Sequence, residues 1–232
     1  NPAPGHKQAA RSPEPGNNAD LRKIRRSFLG QRNEKVQQAL SRIREKNYIK
    51  GMPKDIRAIN KLYRSSLFLA VCLNIFAFAI FFAIGDGKFS SLDDFFMSAV
   101  LTGAFGGEYD VHMYFVNVVY GYFLRPFYAV LPSVSWYSVF QYFTVFASFT
   151  ALCYVVLERY GKRAGGVLAF LLLACVSPDF YLHVAFTQCA GIATAAGILL
   201  FAIGNAEKKR AYLICGIVLM LAGFVFRKEM FL

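Results

Sequence analysis

The stretch SLFLAVCLNIFAFAIFFAI, Ser66–Ile84, runs for 19 residues without a charge. A bilayer core is about 30 Å thick and needs roughly 20 apolar residues to cross as a helix. This segment meets that length, and it predicts a transmembrane helix. Composition extends the reading to the rest of the chain. Of the 232 residues, 56% are apolar, 16% are aromatic and only 17% are charged. A typical soluble domain carries about 25% charged residues. The pattern excludes an ordinary soluble globule and a disordered chain. The surplus apolar surface needs lipid to face.

Charge is distributed unevenly around that first span. Of the formal net charge of +12, +11 lies in residues 1–64. Residues 65–232 are close to neutral. Residues 1–19 hold four Pro and two Gly with no apolar period, and they read as a disordered tail. Residues 20–64 read as a basic amphipathic juxtamembrane region. Asp20 is a candidate helix cap. Leu21, Ile24, Phe28, Val36, Leu40 and Ile43 form the apolar stripe, opposed by Arg22, Lys23, Arg25 and Arg26. Such an arm suits anionic lipids of the inner leaflet. A plain solvated juxtamembrane helix fits the same pattern. Nucleic acid is not expected as a partner, because no binding fold or interleaved aromatics accompany the charge. Positive charge is retained in the cytoplasm, so the arm places the N-terminus there.

The same rule orders the later segments. The loop after Ile84 carries Asp86, Asp93, Asp94, Glu108 and Asp110 against Lys88 alone, which fits an outer position. Met113–Leu131 is apolar but contains Arg125 and Pro126. If it crossed, the basic loop ERYGKR at 158–163 would fall outside. If it lies along the outer face, every later basic loop falls inside. The expected spans are therefore about five. They are Ser66–Ile84, Val134–Leu157, Ala164–Val176, Phe186–Ile203 and Ala211–Phe226. Two interfacial helices near 93–104 and 113–131 join them, with a break at Ser177-Pro178-Asp179. The fold class is all-α, a polytopic bundle in the cell membrane.

The five cysteines, Cys72, Cys153, Cys175, Cys189 and Cys215, lie in apolar stretches without a CxxC spacing. They read as small hydrophobes, with no disulfide or zinc site. Ala190, Gly191, Ala193, Ala195, Ala196 and Gly197 form a small-residue run that lets helices approach closely.

No phosphate-binding glycine loop, HExxH or GxSxG motif is present. Candidate chemistry therefore rests on polar groups of the outer loops. Asp93 and Asp94 open the segment SSLDDFFM. They would cap a helix and match its dipole, or serve as a general base or cation ligand. His112, in GGEYDVH, is either a satisfied interfacial histidine or a phosphate contact. Arg125 sits in an apolar helix and needs a partner, either a loop carboxylate or a phosphate. Arg227 and Lys228 are either snorkelling anchors or holders of an anionic headgroup.

This arrangement resembles the N-terminal part of the GT-C superfamily of integral-membrane glycosyltransferases. The likeness rests on Asp93-Asp94, the Gly106–His112 segment, Arg125-Pro126 and Leu131-Pro132-Ser133, within residues 65–232. Among these enzymes it is closest to bacterial O-antigen glucosyltransferases and O-mannosyltransferases. Many relatives carry Pro-Pro where this chain has His112-Met113. The resemblance implies a sugar donor on a polyprenyl phosphate and an inverting transfer to a cell-envelope acceptor at the outer face. It implies Asp93 as the base, with Asp94 second or orienting. Arg227, Lys228, Arg125 and His112 are implied as the cations around the leaving phosphate. The resemblance singles out no cofactor, and a divalent cation at the acidic pair is compatible with the residues. Such enzymes have more spans than this chain, so the sequence reads as a piece truncated at its C-terminus. The alternative is a non-catalytic membrane protein, a transporter of lipid-linked precursors or a scaffold. It predicts charges lining the spans, and the spans here are nearly free of them.

Overall fold

The computed structural model describes residues 65–107 and 109–227, together with Gln37. The expected disordered tail, the basic arm and Lys228 lie outside the described residues.

Helix α1 (Ser66–Ile84) is the predicted first span. Beyond Ser66 its sequence is apolar on every side apart from the single Asn74, so it has no polar face to set it on a surface. It leads to β1 (Lys88–Phe89) and then α2 (Leu92–Leu101). Ser91 caps α2 by accepting the Asp94 backbone N–H, and Asp93 and Asp94 occupy its first turn. A segment without regular structure leads to α3 (Val118–Val130), capped by the Asn117 side chain. Both interfacial helices are thus shorter than expected. The difference at 93–104 comes from Gly103 and Gly107, whose positive φ angles turn the chain into the loop that follows α2. Residues 113–117 are kept out of α3 because Asn117 caps it where they end.

Helix α4 (Trp136–Cys175) spans 40 residues but is broken at Gly161, where φ is 73° and ψ is 169°. That conformation is essentially reserved for glycine. Beyond it the chain doubles back. A Cβ on Gly165 would stand 2.8 Å from the Val156 carbonyl oxygen and 2.9 Å from the Leu157 Cα. Residues 136–160 and 162–175 are therefore antiparallel neighbours, joined where the ERYGKR loop is expected.

The expected break at 177–179 is instead a helix, α5 (Ser177–Leu182). Pro178 sits in its first turn, where a missing N–H costs nothing. Ser177 Oγ donates to the Leu173 carbonyl at 2.7 Å, so α5 carries on from α4 with little interruption. Strand β2 (His183–Val184) then pairs in parallel with β1, Lys88 opposite His183 and Phe89 opposite Val184. The described elements are helical apart from this short pair, which fits the all-α expectation. Two residues are too few to show an alternating pattern in sequence.

Helices α6 (Phe186–Glu207) and α7 (Arg210–Phe226) form a close hairpin through Lys208, whose φ is 54°. Backbones meet there because glycines leave room. A Cβ on Gly197 would lie 2.8 Å from the Gly216 carbonyl oxygen, and one on Gly216 would lie 2.8 Å from the Gly197 oxygen. This is the role expected of the small-residue run.

Hydrogen bonds and ion pairs fix two ends of the bundle. One end gathers β1, β2 and the starts of α4 and α6. The other holds the Gly161 and Lys208 turns, tied by Arg159 and Lys209 to Glu207 at 3.7 and 2.8 Å. Both ends of α3 belong to the strand end. The Asn117 N–H donates to the Val225 carbonyl at 3.2 Å, and Tyr128 Oη accepts the Tyr137 N–H at 3.1 Å. At roughly 1.5 Å per residue, α3 is about 20 Å long. It lies across one end of the bundle and does not connect the two. Among the described residues three helices, α1, α4 and α6, are long and apolar enough to cross a membrane, and α7 is a shorter apolar helix of 17 residues.

Between the ends, buried polar groups are satisfied within the bundle. Asn74 of α1 is fully buried. Its Nδ2 donates to the Phe146 carbonyl and to Thr150 Oγ1, both at 2.9 Å, and its Oδ1 accepts the Tyr181 hydroxyl at 2.7 Å. These bonds tie α1, α4 and α5 together where no water reaches.

Candidate functional site

The strand end carries every described residue expected to hold chemistry. The two members of the acidic pair part company there. The helical step of about 100° per residue turns adjacent side chains to different faces of α2. Asp94 is fully buried. Its Oδ1 accepts the Tyr137 hydroxyl at 2.8 Å, Gln141 Nε2 at 2.7 Å and the Phe186 backbone N–H at 3.1 Å. Its Oδ2 accepts the Ser91 hydroxyl at 3.0 Å. One carboxylate thus ties the start of α2 to α4 and to the first residue of α6.

Asp93 points the other way and is exposed. It makes no hydrogen bond or ion pair with any described residue. It lines a cleft of about 360 Å³ together with Ser90, Ser91, Phe115, Thr187 and Arg227. Arg227, at the end of α7, donates through Nη1 to Thr187 Oγ1 at 2.9 Å, and its guanidinium lies 5.7 Å from the centre of the Phe186 ring. Phe115 stacks on Phe186, with ring centres 6.1 Å apart and planes 11° from parallel. The cleft therefore offers a carboxylate, a guanidinium, two serine hydroxyls and an aromatic wall. Gln188 also lines it, held by Nε2 on Asp179 at 2.8 Å, with its Oε1 buried and without a described partner.

His112 is not in this cleft. It is exposed, and its backbone N–H and ring Nδ1 meet Asp110 Oδ1 at 2.9 and 2.8 Å. Asp110 is held below the usual carboxylate range, first by the backbone N–H of His112 and then by its ring. This is a local turn on the surface, in which Asp110 is the partner of His112.

Arg125 is also separate. It lines a second cavity of about 210 Å³ with Leu101, Thr102, Tyr109, Tyr128 and Pro132. The carboxylate partner expected for it is absent among the described residues. Lys228 lies outside the described residues. Of the three described cations expected to bind phosphate, Arg227 alone lines the cleft with Asp93.

A cation bridging the acidic pair does not fit this geometry. Both oxygens of Asp94 are taken by donors, which leaves Asp93 as a single carboxylate ligand. Among the described residues no three His, Cys, Asp or Glu side chains gather as a metal site. All five cysteines are free thiols.

Sequence reasoning missed Phe115, Phe186 and Thr187 as cleft residues. Phe186 and Thr187 read only as the start of a span. Phe115 had a signal of a kind, since it belongs to the aromatic run beside His112.

No protein-family model matches this chain, and no curated protein or solved structure matches it either.

Proposed function

We propose that this chain has an integral-membrane glycosyltransferase activity, and that the cleft of Asp93 and Arg227 is where the sugar moves. The observation that carries the reading is a cleft lined by a carboxylate without a described partner, a guanidinium and an aromatic wall. The resemblance to GT-C enzymes supplies the donor class, a sugar on a polyprenyl phosphate.

The chemistry then assigns one role to each group. Asp93 takes the proton from an acceptor hydroxyl as that oxygen attacks the anomeric carbon. The bond from that carbon to the phosphate oxygen breaks, and the electron pair leaves with the phosphate. Arg227 faces the charge that develops there. Phe115 and Phe186 present apolar surface to the C–H face of a sugar ring. Asp94 does not touch the reacting atoms; it positions α2, and with it Asp93.

The membrane placement proposed with this reading has five crossings. They are α1, residues 136–160, residues 162–182, α6 and α7. The N-terminus is cytoplasmic, and the strand end faces outward. The two ends of the bundle support this order, since consecutive segments alternate between them.

The test is sugar transfer by the intact protein from polyprenyl-phosphate donors carrying glucose or mannose. Asp93→Asn should lower transfer by about 100-fold or more, in the range of a lost general base. Arg227→Gln should also lower it. Full activity in Asp93→Asn would remove the mechanism.

A further inference from the structure

The cavity around Arg125 shares no described residue with the Asp93 cleft. Among its described lining residues, Arg125 is the one charged group. The end of α2, the residue Tyr109 and the helix α3 build its walls. They are fixed: the Tyr109 hydroxyl donates to the Gly121 carbonyl at 2.7 Å, and its ring meets Tyr128 at 5.5 Å. Gly121 permits this crossing, because a Cβ there would collide with the Val111 backbone.

Around the cavity, the surface is apolar. Phe105, Tyr122, Phe123, Val130 and Leu131 are all large exposed hydrophobic residues near it in sequence. Such a surface on a short helix at the end of an apolar bundle belongs at the level of lipid headgroups. A guanidinium there, without a described carboxylate partner, is matched by a phosphate, to which it can give two parallel N–H bonds. We propose that Arg125 and the cavity it lines form a binding site for the phosphate of an anionic membrane lipid, separate from the site of sugar transfer. Acyl chains would lie along the exposed aromatics of α3.

The chain holds its own reporter. Trp136 is the only tryptophan. Its Nε1 donates to the Leu131 carbonyl at 3.0 Å, and its ring lies 5.3 Å from that of Phe127, on the helix that carries Arg125. The full chain would be reconstituted into vesicles of brominated phosphatidylglycerol or brominated phosphatidylcholine, and Trp136 fluorescence would be read.

The expected result is an apparent association of phosphatidylglycerol about fivefold stronger than that of phosphatidylcholine, the scale of one cation at an anionic surface. Arg125→Gln should bring the ratio to about one, Arg125→Lys should keep part of it, and Arg159→Gln, at the far end of the bundle, should leave it whole. Unaltered emission in unbrominated lipid would show that each variant is folded. In detergent without added lipid, a Trp136 response to inorganic phosphate that depends on Arg125 would support the phosphate site and make a soluble anion its source. Equal quenching by the two lipids without such a response, or a preference that survives Arg125→Gln, would overturn the proposal.

Discussion

Asp94 decides more about the strand end than any other side chain. Four donors converge on it from Ser91, Tyr137, Gln141 and the start of α6. Removing the acceptor leaves the buried donors unmade, and each orphaned group costs about 1–3 kcal/mol. Asp94→Ala should therefore lower the thermal midpoint in detergent sharply. Asp94→Asn should lower it less, since its amide oxygen still accepts at the Oδ1 position and Ser91 Oγ can accept from the amide nitrogen. An equal loss in both variants would show that the charge itself is required. The Asp110–His112 turn is a milder device. Its carboxyl is stabilised in the ionised form, so its folded pKa lies below the unfolded one. That stabilisation is fully present above the ordinary aspartate pKa and is lost as pH falls through the depressed value. A carboxyl-carbon NMR titration should place Asp110 below a free aspartate, and His112→Ala should raise its midpoint.

At the scale of elements, glycines mark where the chain turns or touches. Gly161 adopts a left-handed φ with open space around it, so a methyl group there meets no atom and only the backbone is strained. Gly161→Ala should cost about 1–3 kcal/mol. Gly166 also has open space, but it sits in helical backbone. Gly166→Ala should be neutral or slightly stabilising, because alanine is the better helix former. Melting of the two variants side by side separates conformational strain from crowding. Gly223 gives the opposite case: a Cβ there would strike Thr194 and stand 2.9 Å from the Ala190 carbonyl oxygen. Its substitution by alanine should loosen the α6–α7 hairpin by packing alone.

For the whole molecule, the order of the two ends is the testable quantity. In a variant freed of its native cysteines, single cysteines at Leu92 and Tyr122 should react from one side of the membrane. One at Tyr160, which is 64% exposed beside the Gly161 turn, should react from the other. Labelling of 122 and 160 from the same side would overturn the five-crossing order.

Much of this fold was legible in the residues. Apolar length alone located α1, α6 and α7, because a lipid-facing helix cannot hide its composition among polar residues. ERYGKR located the turn at Gly161 from charge, whereas the caps of α2 and α3 are Ser91 and Asn117 and not the acidic pair expected to cap the first of them. What sequence order could not reveal was which groups meet across the bundle. Asp93 and Asp94 are neighbours in the chain, yet one opens on a cleft and the other is buried. Arg125 and Arg227 read as equivalent cations, yet they line different cavities. The β1–β2 pair and the Phe115–Phe186 wall join segments far apart in the chain. Apolarity and charge are carried by single residues and their near neighbours, so the sequence determined the helices and the charged turns between them. Burial and partnership depend on long-range packing, so only the tertiary structure decided which carboxylate is left available.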